Sequence, residues 1–229
     1  MHQLSSSHHF TLCHFLSVSL FTLAFLVLPF GGSSLRAADT EYWNEFIFAF
    51  DLHADASMEV GLEQQFIDQG STFSLCNISL VPSFRLTKTT SAGFGYRHER
   101  EKEDGVWTTE DRYWLHYSVK RRLGEWTLKV KPQLEYRNLA ERDVWLARPK
   151  LYLQHPVKIG STSMTATLAG DPYYHFDTGT ICQKRISTAL TFDLDRKTEC
   201  SVFYLRKLKR SGDDWKKTHV IGTEIAFSF

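Results

Sequence analysis

The sequence predicts an all-β fold, an antiparallel up-and-down transmembrane β-barrel of about 10–12 strands. Three observations carry that prediction. Apolar and polar residues alternate with period two along almost the whole chain beyond residue 40. The alternating runs reach about 9–12 residues, the length a tilted membrane strand needs. Aromatic residues sit near the ends of the apolar faces, among them Trp126, Tyr136, Tyr96, Trp145 and Phe229, where interfacial girdles lie.

The chain of 229 residues opens with an apolar run, Phe15 to Phe30, followed by small residues up to Ala38. An apolar core followed by small residues is the pattern of a secretory signal peptide. Residues 1–38 are therefore expected to be removed, with cleavage at Ala37 or Ala38, leaving residues 39–229 as one barrel domain. The run is short for a bilayer-spanning helix, which needs about 20 apolar residues. Losing Arg36, the charged residue of that segment, lowers the formal net charge from +1 to 0. A chain without basic excess is not a nucleic-acid binder. Cys76, Cys182 and Cys200 remain, at spacings that fit neither a zinc site nor a CxxC pair. No metal and no cofactor is expected.

The run from Trp126 to Arg137 shows the alternation best. Trp126, Leu128, Val130, Pro132, Leu134 and Tyr136 share one face, and Thr127, Lys129, Lys131, Gln133, Glu135 and Arg137 share the other. On a helix that apolar set would spiral around the axis; only a strand keeps it on one side. Before it come two weaker strands, marked by Phe46, Phe48, Phe50 and Leu52, then Met58, Val60 and Leu62. Stronger ones follow: Ile78, Leu80 and Phe84 against Asn77, Ser79 and Arg85; Phe94 and Tyr96 against Gly95, Arg97 and Glu99; Tyr113, Leu115 and Tyr117 against Arg112, Trp114 and His116. After Arg137 the pattern resumes with Trp145, Leu151 and Leu153 against Arg148, Lys150 and Tyr152. Met164, Ala166 and Leu168 oppose Thr165, Thr167 and Asp171; Ile186, Leu190 and Phe192 oppose Arg185, Ser187 and Thr191. Val202 and Tyr204 mark a further strand whose facing Phe203 and Leu205 leave open. Ile221, Ile225, Phe227 and Phe229 against Gly222, Glu224 and Ser228 form the last. The count is about eleven. An even number would put both chain ends on one side of the membrane, so parity stays open.

Connections divide into short turns (87–90, 123–125, 156–160, 195–198) and longer polar stretches (65–72, 100–109, 138–144, 174–182, 209–217). Short turns on one side and long loops on the other fit an outer-membrane barrel. A soluble barrel would point its apolar face inward. Strand length, aromatic ends and the expected signal favour the membrane arrangement, with the charged face lining the lumen. The luminal bases are then Arg85, Arg97, Arg112, Lys120, Lys129, Lys131, Arg137, Arg148, Lys150, Arg185 and Lys207. The luminal acids are Glu59, Glu63, Glu99, Glu135, Asp171, Asp193, Glu199 and Glu224. In a narrow barrel, Arg–carboxylate forks fill such an interior. The residues expected to form the network, or alternatively an anion path, are Arg85, Arg97, Glu99, Arg112, Lys129, Lys131, Glu135, Arg137, Arg148, Lys150, Asp171, Arg185 and Glu224.

Gly95-Tyr96-Arg97, Glu110-Asp111-Arg112-Tyr113-Trp114, Leu134-Glu135-Tyr136-Arg137, Arg148 and Gln183-Lys184-Arg185 together resemble the bacterial "domain of unknown function 2490" barrels. The resemblance spans roughly residues 41–229. It differs in Asp171, where the family pattern suggests Glu, and in the apolar Phe203-Tyr204-Leu205. It implies an outer-membrane barrel and says nothing of substrate. The terminal Phe229 on an alternating strand similarly resembles the signal read by the bacterial barrel-assembly machinery.

The sequence thus points to an outer-membrane barrel of a Gram-negative bacterium, surrounded by outer-membrane lipids and handled by the assembly machinery during biogenesis. Its function is expected to be structural, or that of a narrow pore. A channel selective for anions or acidic oligosaccharides is the alternative, with Arg and Lys rings setting selectivity. A rim-active lipid-modifying enzyme comes third: His175 lies near Asp171 and Asp177, and His98 and His219 are expected at the same end. No GxSxG motif positions a nucleophile, so no catalytic residue is assigned.

Overall fold

The computed structural model describes residues 40–103, 105–139 and 142–229, the side chain of Glu103 excepted; the expected signal peptide lies outside the described residues. Eleven strands run in chain order: β1 (Thr40–His53), β2 (Ala56–Ile67), β3 (Thr72–Arg85), β4 (Thr90–Glu103), β5 (Val106–Leu123), β6 (Trp126–Leu139), β7 (Asp143–Ile159), β8 (Thr162–His175), β9 (Thr180–Asp193), β10 (Thr198–Ser211) and β11 (Asp214–Ser228). Each strand pairs antiparallel with the next. The barrel closes through β1 and β11, which pair in parallel, Asn44 beside Thr223 and Phe46 beside Ile225. The antiparallel up-and-down barrel expected from the sequence is present, and it closes through this one parallel seam. It also answers the parity question. An odd number of strands closes when the first and last run the same way, so the start of β1 and the end of β11 lie at opposite ends. The end where β1 begins is called upper here, and the end holding Phe229 lower.

Three of the longer polar stretches expected as loops, 100–109, 174–182 and 209–217, are largely ladder instead. Arg100 pairs with Thr109 and Lys102 with Trp107; Tyr174 pairs with Ile181 and His175 with Thr180; Lys209 pairs with Lys216 and Ser211 with Asp214. Strands therefore run to 14–18 residues in β4 to β7. The period-two signal fades in these stretches because both faces of a hairpin beyond the apolar band are solvated, while backbone pairing continues.

The apolar set of every strand faces outward. Leu115 is 64% exposed and Phe94 51%, whereas His116, next to Leu115, and Glu99, five residues beyond Phe94 on the same strand, are buried. Rings form two tiers on that outer face. The upper runs Tyr96–Tyr113–Tyr136–Trp145 at centroid spacings of 5.2, 6.2 and 5.1 Å. The lower holds the stacked pairs Phe48–Phe227 and Phe50–Phe229, at 5.3 and 5.1 Å, across the parallel seam. Trp126 and Tyr136 lie ten residues apart on β6. At roughly 3.3 Å per residue and a tilt of about 40°, they frame a band about 25 Å tall.

Phe203 and Leu205, whose facing the alternation left open, point inward. Two glycines make room for rings inside the wall. Trp114 lies over Gly95 and Phe203 over Gly222, so close that a Cβ on either glycine would overlap the ring.

Candidate functional site

The luminal face holds two layers with different chemistry. The upper layer is a belt of ion pairs. Register places Arg97, Arg112 and Arg137 side by side across β4, β5 and β6, with Glu99 beside Glu110. Like charges in register repel, and here each guanidinium turns to a carboxylate in the neighbouring row. Glu63 accepts from the Asn77 amide at 3.0 Å and lies 3.4 Å from Arg97. Arg112 binds Glu99 and donates from Nε to Glu110 at 2.6 Å. Arg137 donates from Nε to Glu135 at 2.6 Å and Arg148 from Nη1 to the other Glu135 oxygen at 2.6 Å. Arg148 continues through Nη2 to Asp171 at 2.6 Å.

Rings carry the belt around the rest of the barrel. Arg148 lies 3.9 Å over Tyr173; Arg185 lies 5.2 Å from the Tyr173 ring and 5.1 Å from that of Trp43. Lys207 binds Glu41 at 2.8 Å beside Trp43. Trp43 packs with Leu205 and Val220, which brings in β10 and β11. All eleven strands thus contribute at this level. An eleven-stranded barrel has a backbone diameter of roughly 20 Å, a width that arginine side chains from opposite walls nearly close. The belt is buried at its centre, where Glu135 is 1% exposed, Tyr173 2% and Glu99 3%, while Arg97 and Arg137 are half-buried.

Below the belt lies a cavity of about 540 Å³. It meets a second space of about 330 Å³ at the lower mouth, and Glu59, Lys129 and Lys131 line both. The two spaces form a cup whose upper part is lined by belt residues, among them Arg112, Arg148 and Tyr173, and which opens at the lower end. The charges that line it outside the belt are segregated. Lys129 and Lys131 of β6 and Lys150 of β7 stand on one wall; Glu45 of β1, Glu59 of β2 and Glu224 of β11 stand on the opposite one. In the closed strand order those two groups are diametrically placed.

The family model described as "Protein of unknown function (DUF2490)" matches residues 40–218. The chain belongs to that family. Among solved structures, an anion-selective porin from Comamonas acidovorans is similar at 16% identity and a TM-score of 0.35, over 74% of this chain and 52% of that one. The chain thus spans about half the length of that porin. A search of the curated proteins finds no match.

Of the luminal residues expected from the sequence, this DUF2490 barrel brings Arg97, Glu99, Arg112, Glu135, Arg137, Arg148 and Asp171 into one network. Arg185 joins through aromatic faces. Lys129, Lys131, Lys150 and Glu224 fall in the cavity instead, and Arg85 stands exposed at the lower mouth. Sequence reasoning missed Glu41, Trp43 and Glu45, because β1 was read from Phe46 onward. Glu110 and Tyr173 were missed because they border stretches assigned to loops. Parity would have found them, since Tyr173 follows Asp171 by two and Glu45 precedes Ile47 by two.

The histidines considered for a rim site are dispersed. His98 pairs with Asp111 at 2.9 Å on the outer face, where Tyr96 also donates to Asp111. His219 meets the Tyr204 hydroxyl at 2.6 Å. Asp171, the acid expected near His175, is engaged by Arg148 inside the lumen.

Proposed function

We propose that this chain is an integral, non-catalytic outer-membrane β-barrel, exported by its signal peptide, whose narrow lumen is closed to ions at the belt. The observation that carries this reading is the chain of ion pairs from Glu63 to Asp171, joined through Arg137 and Glu110 at 3.5 Å and carried around the rest of the wall by Tyr173 and Trp43. The apolar outer face and its two aromatic tiers support a place among outer-membrane lipids. The aromatic end of β11 supports delivery by the barrel-assembly machinery. The open end of the cup then faces the periplasm, the side of the C-terminus in this reading. A second reading, a channel for anions or acidic oligosaccharides, draws on the wall of Lys129, Lys131 and Lys150.

Two measurements on detergent-refolded residues 39–229 test the proposal. Unboiled protein is expected to migrate differently from boiled protein on one gel, as a compact detergent-resistant barrel does. In planar bilayers the wild type is expected to stay near background conductance, and Arg112→Ala/Arg148→Ala to open steps above it. Large anion-selective steps in the wild type overturn the closed-belt reading and favour the channel.

A further inference from the structure

The cavity below the belt holds charges that the protein leaves without ion-pair partners. Lys131 and Lys150 are register partners on β6 and β7, and both face the cavity. Glu45 is the register partner of Glu224 on one side and of Glu63 on the other. Like charges directly opposed in a sheet are destabilising, so each wall carries a local cost. The belt resolves the same conflict by interleaving opposite signs; the cavity does not. Among the described residues, Lys131 and Lys150 have no carboxylate oxygen within 4.0 Å, and Glu45, Glu59 and Glu224 have no basic nitrogen that close. Among the described residues no ion pair within 4.0 Å joins the two walls.

We infer that this cavity binds a small zwitterionic solute, with its anionic group on Lys131 and Lys150 and its cationic group toward Glu45 and Glu224. The structure meets the physical requirements of such a site. A volume of about 540 Å³ lies in the range of small-molecule pockets. The opposed pairs Lys131–Lys150 and Glu45–Glu224 produce a field across the cavity below the belt, which favours a solute whose own charges are separated along that axis. A simple anion would satisfy the lysines and meet repulsion from the facing carboxylates; a simple cation would meet the reverse. Discrimination of this kind comes from the repulsive wall as much as from the attractive one. Tyr152 and Gln154 extend the basic wall with neutral hydrogen-bonding groups. The solute enters past Glu59, Lys129 and Lys131, which line both the cavity and the mouth. The inference rests on the closed-belt reading for its roof, not for its walls.

Equilibrium dialysis of the detergent-purified protein against radiolabelled dialanine, N-acetylalanine and alaninamide, at one ionic strength, tests it. Dialanine is expected to bind saturably at one per chain, with N-acetylalanine (anion only) and alaninamide (cation only) at least tenfold weaker. Lys131→Gln/Lys150→Gln is expected to weaken dialanine at least tenfold, as is Glu45→Gln, with heat-modifiable migration retained. If one variant loses that migration, the other decides. The inference is overturned if either single-charge probe binds as tightly as dialanine, if none of the three saturates, or if a folded variant binds dialanine as the wild type does. Failure of the closed-belt reading is separate: it would show as wild-type conductance, with or without selective dialanine binding.

Discussion

The upper and lower halves of the lumen are built from the same kinds of charged residue and differ in how those are arranged. In the belt, arginine carries most of the positive charge, and Arg97, Arg112, Arg137 and Arg148 each reach two carboxylates, as Arg148 does between Glu135 and Asp171 on neighbouring strands. The planar fork suits arginine to that bridging role. In the cavity, lysine faces carboxylate across open space, and each wall repeats one sign. Interleaving gives a paired belt; segregation gives opposed walls of unlike sign. Proximity in sequence does not separate the two, since Lys131 and Glu135 lie on one strand and one face, four residues apart.

Breaking the belt should produce the largest effect. Glu135 serves Arg137 and Arg148 at once and is nearly inaccessible to water. Glu135→Ala leaves the buried Arg148 and the half-buried Arg137 each short of a partner, a loss of about 3–5 kcal/mol by analogy with other broken buried pairs. Urea unfolding of the vesicle-inserted barrel measures it, and a midpoint within error of wild type would mean that the belt is not a stabilising network. A smaller effect is expected where the wall itself is tightly fitted. Trp114 leans over Gly95 without room for a Cβ, so Gly95→Ala must displace the indole or the strand at about 1–3 kcal/mol. Trp114 lines the cavity, and its fluorescence should shift in the same variant.

Legibility in the sequence followed the same division. Parity along each strand assigned Arg97, Glu99, Arg112, Glu135, Arg137, Arg148 and Asp171 to the lumen, because one-residue steps in a strand fix which side a residue faces. The order of signs across strands was not legible. Whether Lys150 faces Asp171 or Glu45 depends on strand number and on how the barrel closes, and the parallel seam leaves no local trace in the sequence. The hairpins around Arg100–Lys102 and Lys209–Lys217 read as loops for another reason. Both of their faces meet solvent, so the alternation that marks a half-buried strand is lost while the hydrogen-bonded ladder persists.

The smallest expected effect carries the sharpest contrast. Lys150 stands in register with Lys131 and has no carboxylate within 4.0 Å among the described residues. Lys150→Met removes one member of a repelling pair and keeps most of the volume of the side chain. Its stability should therefore change by no more than about 1 kcal/mol, in the direction of greater stability, where Glu135→Ala on the next strand loses several times as much. The same variant should lose dialanine binding. A charge whose removal strengthens the fold and abolishes binding is held for its ligand, as the trade-off between stability and function requires. If Lys150→Met instead destabilises the barrel as strongly as Glu135→Ala, the lysine belongs to the structural network, and the distinction between belt and cavity collapses.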